Sequence, residues 1–429
     1  MITDLWRDVE LRKALASARG AHQSDDSTMS TLARVAWSVL AEPGDGVAGA
    51  LIAELGPVEA LRFVLQSDLL SELPPFGGRQ GVIDGAEPAG RGKAIRRPIT
   101  EGIERWRARA DPAAVRAAIM HARDVDARLV LPGDEAWPTA IDDLDDHRPI
   151  VLWVRGDADM LRSQPSVAIV GARAASGYGE MLASEFAGDL AAGGAVVVSG
   201  GAYGIDGAAH RAALGVGGST IAFLAGGVDR AYPQGHQQLL RRISETGAVV
   251  SEVPCGTAPT KWRFLSRNRL IAAAADATVV VEAGWRSGSL NTAGHAASLG
   301  RPLGAVPGPV TSAASAGCHR LMREYDARCV TTSAEIRELW SFDATASEGR
   351  AAIADAALDP DQGRLLDAMS TRVAATVLEL TRRSGLGPSQ VSALLGMLEL
   401  EGTVRRTESG WRRVSSVDGG GDGPGDGRG

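Results

Sequence analysis

The chain has 429 residues, 44% of them hydrophobic and 23% charged, with a formal net charge of −7 and three cysteines. That length suits two to four domains, each able to bury a core. Cys255, Cys318 and Cys329 lie far apart with no C-x-x-C pair and no His at ligand spacing, which argues against a zinc site and a disulfide framework. The N-terminus is charged from its first residues, and no apolar run is long enough to span a bilayer, so a soluble cytoplasmic protein without a membrane partner is expected.

Net charge misleads until it is divided along the chain. Residues 1–165 carry 20 basic and 26 acidic side chains, 166–331 carry 14 and 11, and 332–429 carry 11 and 15. The middle third is therefore net positive and the flanks hold the acid.

Residues 1–75 are rich in Ala and Leu at helical spacing, broken at Pro43-Gly44 and Gly56-Pro57, and read as a small helical domain of the SAM or helix-hairpin kind. Residues 76–120 begin dense in Pro, Gly and Arg without periodicity and end in a helix in two pieces, a flexible connection. Within 121–340, two entry strands are followed by an alternation of apolar strands and amphipathic helices from SVAIVG to RPLGAVP. Strands of Val, Ile and Ala without polar alternation are buried on both faces. The expected fold is α/β, an extended Rossmann-like, doubly wound, mostly parallel sheet. Residues 341–358 are small and polar, a linker; 359–414 read as three helices and a hairpin, a winged helix; 415–429, rich in Gly and Asp, should be disordered.

Four of the core strands end in Gly-rich loops, which aim backbone N–H groups at whatever sits above the sheet. Phosphate is the natural guest. Yet GARAASGYG is neither a G-x-G-x-x-G fingerprint nor a P-loop, and the next strand ends in SGG instead of an acid, so no nucleotide cofactor is expected.

Each loop offers candidates. Arg173, two residues after Gly171, either grips a phosphate or pairs with a surface Asp. In Ser199-Gly200-Gly201-Ala202-Tyr203-Gly204 the glycines permit close backbone approach and Tyr203 can stack on a base. Asp206 and His210 form either an acid–base pair or, more simply, an N-cap and a packed histidine. Arg230 and Tyr232 place a cation beside a ring. Lys261-Trp262-Arg263-Phe264-Leu265-Ser266-Arg267-Asn268-Arg269 interleaves four cations with two aromatics and contains no acid. Ser287, Gly288, Ser289 and Thr292 stand at a helix N-terminus, where Ser287 is either an anion ligand or a cap. Glu282 ends a buried strand and is expected to orient loop donors. No metal-ligand cluster and no Ser/His/Asp arrangement can be read.

The wording and order of VAIVGAR, SGGAYGIDGAAH, GGVDRAYP, FLSRNRLI, VVVEAGWRSGSLNTA and AVPG, from about Leu129 to Val330, resemble the DNA-processing protein A (DprA/Smf) family. The resemblance implies a Rossmann-like domain that binds single-stranded DNA without catalysis, forms a homodimer, and helps load a RecA-type recombinase in natural transformation. Residue by residue, the Arg of the family's G-x-R turn falls on Arg173, the cation before its Tyr-Pro pair on Arg230, and the arginines of its R-N-R motif on Arg267 and Arg269, with the SGG loop and SGS turn completing the pocket. Leu265 replaces a common Pro, AAAAD replaces the usual GLS, and Asn291 replaces an aliphatic residue. The recognition-helix sequence PSQVSALLGMLELEG has no Lys or Arg and includes Glu399 and Glu401, which favours a protein-contact or auxiliary role over major-groove reading; Arg405, Arg406, Arg412 and Arg413 lie in the wing. Two other classes compete. A nucleoside-monophosphate phosphoribohydrolase would need a P-G-G-x-G-T-x-x-E pattern, absent here, with Glu282 as the only substitute carboxylate. A transcriptional regulator would need a less acidic recognition helix.

Overall fold

A computed structural model of the chain describes residues 2–19, 25–66, 91–341, 360–400 and 402–414. Residues 76–90 of the expected connection, nearly all of the expected linker 341–358 and the expected tail 415–429 lie outside these, as does Glu401. The chain divides into two compact units, Met1–Ile99 with Trp106–Ala351, and Thr100–Arg105 with Ala352–Gly429.

In the first unit, helices α1 (Ile2–Arg7), α2 (Val9–Arg19), α3 (Asp25–Leu40), α4 (Gly46–Leu65) and α6 (Pro112–Asp124) precede the sheet, while α5 (Arg91–Arg107) is divided, its Thr100–Arg105 stretch belonging to the second unit. Asp45 caps α4 by accepting from the backbone of Val47 and Ala48, and Asp111 followed by Pro112 starts α6. The ring of Trp37 meets that of Trp106 edge-on at 5.1 Å, and the Trp106 indole donates to Asp45 at 3.0 Å. The core strands and helices then alternate: β1 (Arg128–Val130), β2 (Leu152–Gly156), β3 (Ser166–Val170), α7 (Gly177–Ala192), β4 (Val196–Ser199), α8 (Ile205–Gly215), β5 (Thr220–Leu224), α9 (Gln237–Thr246), β6 (Ala248–Ser251), α10 (Lys261–Ala273), β7 (Ala277–Val280), α11 (Ser289–Ser298), β8 (Leu303–Ala305), α12 (Ala316–Glu324), β9 (Arg328–Cys329) and α13 (Ser333–Ser341).

The nine strands are ordered β1-β2-β6-β5-β4-β3-β7-β8-β9. β2 runs antiparallel to both β1 and β6, and all the other pairs are parallel. From β3 the chain winds outward through β4, β5 and β6, then returns to lay β7, β8 and β9 on the other side. The winding therefore reverses between β3 and β7, where a doubly wound sheet opens a crevice at its carboxyl edge.

Strand pleating explains the unbroken apolar runs. Val167, Ile169 and Val197 face one layer with Phe186 and Leu190 of α7 and Ala209 of α8. Their neighbours Ala168, Val170 and Val198 face the opposite layer with Leu270 and Ile271 of α10 and Ala293 of α11. Both faces are covered, so every position of β3 and β4 is buried. Truncating Phe186 or Phe223 to Ala would cost about 3–5 kcal/mol.

The second unit holds α14 (Pro360–Ala368), α15 (Val377–Ser384), α16 (Pro388–Leu400), β10 (Val404–Thr407) and β11 (Gly410–Arg413) around Leu365, Leu380, Val391, Leu395 and Leu398. Thr376 and Glu379 close a capping box on α15, and Gly385, left-handed at φ 74°, ends it. β10 and β11 form the wing, with Ala375 bridging to Trp411. This is the winged helix read from the sequence. Its α16 exposes Ser392, Ala393, Gly396, Met397 and Glu399, a face without a cation.

Candidate nucleic-acid interface

The crevice between β3 and β7 is filled by the protein itself. Glu282, 4% exposed, accepts from the Ser176 amide at 2.8 Å and the Ser176 hydroxyl at 2.7 Å, while its carbonyl accepts from Ala172 N–H at 2.7 Å. Ser176 in turn caps α7 through Gly179 N–H. A carboxylate thus satisfies the helix N-terminus at which a dinucleotide fold would hold pyrophosphate. Glycine is required around it: a Cβ on Gly171 would lie 2.5 Å from Ile205 and 2.9 Å from the Glu282 carbonyl, and one on Gly179 would lie 2.6 Å from the Glu282 carboxylate. Glu282 therefore holds the Ser176 turn from behind the strand ends.

The loop after β4 is built for close approach. Ser199 is fully buried and donates to the Ile169 carbonyl at 2.6 Å, so its hydroxyl ties β4 to β3 and does not line an open pocket. Gly201 and Gly204 take φ of 67° and 71°, and a Cβ on Gly204 would sit 2.3 Å from the Ala172 carbonyl. Asp206 corrects its sequence assignment: Gly204 occupies the cap position of α8, and the Asp206 carboxylate, in the first turn, accepts from Gly200 N–H at 3.1 Å and Ala202 N–H at 3.4 Å. Behind this loop the buried Arg267 donates to the carbonyls of Gly200, at 2.8 Å, and Phe223. Burial pushes the Asp206 carboxyl up and the Arg267 guanidinium down, and each charge pulls the other back.

His210 is a core residue. The Thr220 hydroxyl donates to the Val197 carbonyl at 2.7 Å, so His210 Nδ1–H is the donor in its 2.7 Å bond to Thr220 Oγ1. Nε2 is then bare, buried and without a partner. Burial, aided by His236, Arg267 and Arg211, depresses its pKa to about 3, so the ring is neutral. Of the two sequence readings for this pair, the packed histidine agrees with the geometry.

Phe264 is the residue around which the exposed candidates gather. The Arg173 guanidinium lies 4.6 Å from its ring centroid and that of Arg267 5.9 Å, while the Tyr232 ring stands 5.3 Å away at 51°. Arg173 and Tyr232 are exposed, and Phe264 is half-buried between them. Tyr203, also exposed, packs edge-on against His236 at 4.8 Å, and His236 is fixed to the Gly201 carbonyl at 3.0 Å. Arg230 and Lys261 are exposed as well. Among the described residues Arg173 and Arg230 form no ion pair, so their charge is available. In sequence Phe264 reads only as one aromatic among cations; its three-residue spacing from Arg267 on one helix is the usable signal.

Helix α10 begins at Lys261 and has two faces, which corrects the placement of two arginines. Phe264 and Arg267 face the strand ends. Arg263, Ser266 and Arg269 face the corner between α3 and α4: Arg263 grips Glu42 with two bonds of 3.0 Å, Ser266 donates to the Pro43 carbonyl at 2.7 Å, and Arg269 binds Glu252 at 2.7 Å and the His147 carbonyl at 3.1 Å. Glu252 also accepts from Gly44 N–H at 3.2 Å. Burial opposes the charge on Glu42, but Arg109 and Arg263 outweigh it and hold its pKa below the usual range. Arg263 and Arg269 are therefore committed to carboxylates and carbonyls of their own unit. A cavity of about 240 Å³ lined by Ser38, Pro43, Arg109, Thr257 and Arg263 lies at this corner.

At the far side of the switch point, Asn268 donates to the Gly288 carbonyl at 3.2 Å and to Asn291 at 3.3 Å, holding the turn before α11. Ser287 and Ser289 share a hydrogen bond at 2.8 Å, Ser289 and Thr292 are buried, and Gly288 is exposed. Gly288 holds the cap position of α11 without a side-chain bond, so neither serine is the cap. Among the described residues no group of three or more His, Cys, Asp or Glu could hold a metal ion, and no helix is long and apolar enough to cross a membrane.

Fold and rim together define an extended Rossmann-like protein whose sheet edge offers cations, rings and backbone donors in place of a cofactor cradle. Residues 128–341 match the family described as DNA recombination-mediator protein A, and residues 350–410 match the DprA winged helix domain. A DNA processing protein DprA of Mycobacterium tuberculosis is 40% identical over 393 residues, covering 88% of this chain and 93% of the relative. The X-ray structure of DNA processing protein A from Streptococcus pneumoniae superposes with a TM-score of 0.55 at 30% identity, over 73% of this chain and 98% of that one. A Helicobacter pylori DNA processing protein A, solved for its single-stranded DNA binding mode, is 31% identical over 49% of this chain and 94% of its own, with a TM-score of 0.45. The chain belongs to the DNA recombination-mediator protein A (DprA/Smf) family.

Proposed function

We propose that this protein binds single-stranded DNA along the carboxyl edge of its sheet, without catalysis, and delivers it to a RecA-type recombinase as a cytoplasmic homodimer. The observation that carries the reading is the Phe264 cluster, in which an open guanidinium, Arg173, and an exposed ring, Tyr232, share one half-buried aromatic at the strand ends. Such a surface grips phosphate and stacks on bases whatever their sequence, and each stacked base adds about 1–3 kcal/mol. A duplex keeps its base faces covered, so ring stacking favours the single strand. Arg230, Lys261 and the Ser287–Gly288 turn extend the phosphate-binding edge, while Gly200, Arg267, Asp206 and Glu282 shape it from behind.

Absence of turnover is supported by the state of the two carboxylates closest to the crevice. Asp206 and Glu282 are both buried and both spent on backbone or hydroxyl donors, and His210 is neutral and enclosed. Nothing there is placed to move a proton for a substrate. The loading step is tested by adding the protein to recombinase and strand coated with single-strand-binding protein. Filament nucleation should accelerate with the wild type and not with Arg173→Ala; no acceleration by the wild type would remove the loading role.

A further inference from the structure

Beyond the Phe264 cluster, the same rim carries a further exposed ring. After β7 the chain turns sharply, with Ser287 N–H donating to the Gly284 carbonyl at 3.0 Å. The two corner positions of that turn are Trp285, 55% exposed, and Arg286, also exposed. A turn corner needs neither an indole nor a second cation, and an apolar ring of this size is costly to leave in water. One side of the ring is backed by Arg320, whose guanidinium lies 5.4 Å from the centroid and is fixed by Glu324 at 2.6 Å. Trp285 is therefore held in place while much of its surface stays open.

Its position connects it to the proposed DNA edge. Trp285 follows Glu282 by three residues, and the Glu282 carbonyl is bonded to Ala172, the neighbour of Arg173. The loops carrying Arg173 and Trp285 thus leave adjacent strands on either side of the switch point. The Ser287 and Ser289 hydroxyls and the open Gly288 lie immediately beyond the ring.

Building on the single-strand reading above, we infer that Trp285 is a second base-stacking platform, which takes up nucleotides of the strand after it has crossed from the Arg173–Phe264–Tyr232 cluster over the β3/β7 switch point. Its ligand is a nucleobase of a single strand whose phosphates are drawn by Arg286. A platform at the end of the path acts only on strands long enough to reach it.

The test is an anisotropy titration of the full chain with oligo-dT from about 4 to about 16 nucleotides, the range of ordinary single-strand sites. Wild type, Trp285→Ala, Trp285→Phe and Arg173→Ala are compared. Trp285→Ala should match the wild type on the shortest strands and bind the longest about fivefold to about 150-fold more weakly, with Trp285→Phe recovering most of the loss. Arg173→Ala should be weak at every length. Trp285→Ala affinity unchanged throughout, or reduced by one factor at all lengths, would overturn the inference. So would a change in the solution mass of Trp285→Ala, which would make the ring a contact between copies of the chain. A wild type that binds no oligonucleotide at any length removes the reading beneath the inference, a failure distinct from these.

Discussion

The carboxylate of Glu282 and the backbone of Ser176, 106 residues apart in sequence, meet at 2.8 Å across the point where the sheet reverses its winding. The contact joins the end of β7 to the start of α7 and closes the place where related sheets admit a cofactor's pyrophosphate. A negative charge fixed there repels a further anion, so in the proposed site nucleic acid phosphates would be directed outward to Arg173 and the loop edges.

Glu282→Ala should destabilise the first unit by about 1–2 kcal/mol, because Ser176 N–H and Oγ would lose a charged acceptor and, on an exposed residue, turn to water instead. Glu282→Gln keeps one acceptor and should cost less. Denaturant titration followed by far-UV circular dichroism checks the order. Equal stability for all three proteins would show that the contact holds nothing.

Arg173 is exposed and forms no ion pair among the described residues, so Arg173→Ala should leave stability within about 0.5 kcal/mol of wild type. Oligo-dT affinity should fall, and the slope of log K against log salt should become shallower by about 0.7, one phosphate contact on a single strand. An unchanged slope would place the phosphates elsewhere.

Gly200→Ala tests how closely the β4 loop approaches Arg267. A Cβ there would lie 2.5 Å from both terminal guanidinium nitrogens, one of which, Nη1, is held by the carbonyls of Gly200 and Phe223. The expected loss is about 1–3 kcal/mol of stability, with weaker DNA binding as Arg267 shifts against Phe264. Thermal and binding curves on the same preparation read both effects.

His210 gives a pH signature. Its pKa falls from 6.5 in the unfolded chain to about 3 in the fold, through burial first. The unfolded state therefore binds the proton and the native state does not, so this stabilisation is complete above pH 6.5. It declines by about 1.4 kcal/mol for each pH unit below that, down toward pH 3. His210→Gln should flatten the pH dependence between about pH 4 and 6.5. Parallel profiles for the two proteins would contradict the assignment.

Much of this organisation can be read from the chain alone. Apolar runs such as SVAIV and VVVS, each ending in Gly, announce a buried parallel sheet because pleating hides both faces of such strands. The motif order announces the family. Strand order stays hidden, since no local pattern says that β7 returns to pair with β3. The split of the basic segment is hidden for a different reason. KWRFLSRNR reads as a single cationic patch because the i,i+4 spacing of Arg263 and Arg267 sets them one above the other on α10, and only their distant partners, Glu42 for one and the Gly200 and Phe223 carbonyls for the other, separate them. The partner of Arg263 is Glu42, 221 residues earlier, which no spacing rule reaches. Asp206 reads as a cap because Asp near a helix start usually is one; the positive φ of Gly204 moves the start and turns the carboxylate back into the loop.

The two-faced α10 makes its own prediction. Glu42→Ala leaves Arg109 and Arg263 without their shared carboxylate and should cost about 1–3 kcal/mol. Because the folded pKa of Glu42 is lowered, its contribution is present above its unfolded value of 4.5 and lost as pH falls through the folded one. Limited proteolysis should cut the α3–α4 corner faster in the variant, and an unchanged cleavage rate would show that this clamp does not secure it.

A sequence-tolerant single-strand site centred on Phe264 is examined by fluorescence anisotropy of labelled oligo-dT and a matching duplex across a salt series, with a nucleoside-monophosphate hydrolysis assay on the same sample. Binding should be tight and salt-sensitive, should prefer the single strand, should be lost in Arg173→Ala with Phe264→Ala, and should be accompanied by no base release. Base release without strand binding, or binding that survives the double substitution, would contradict such a site.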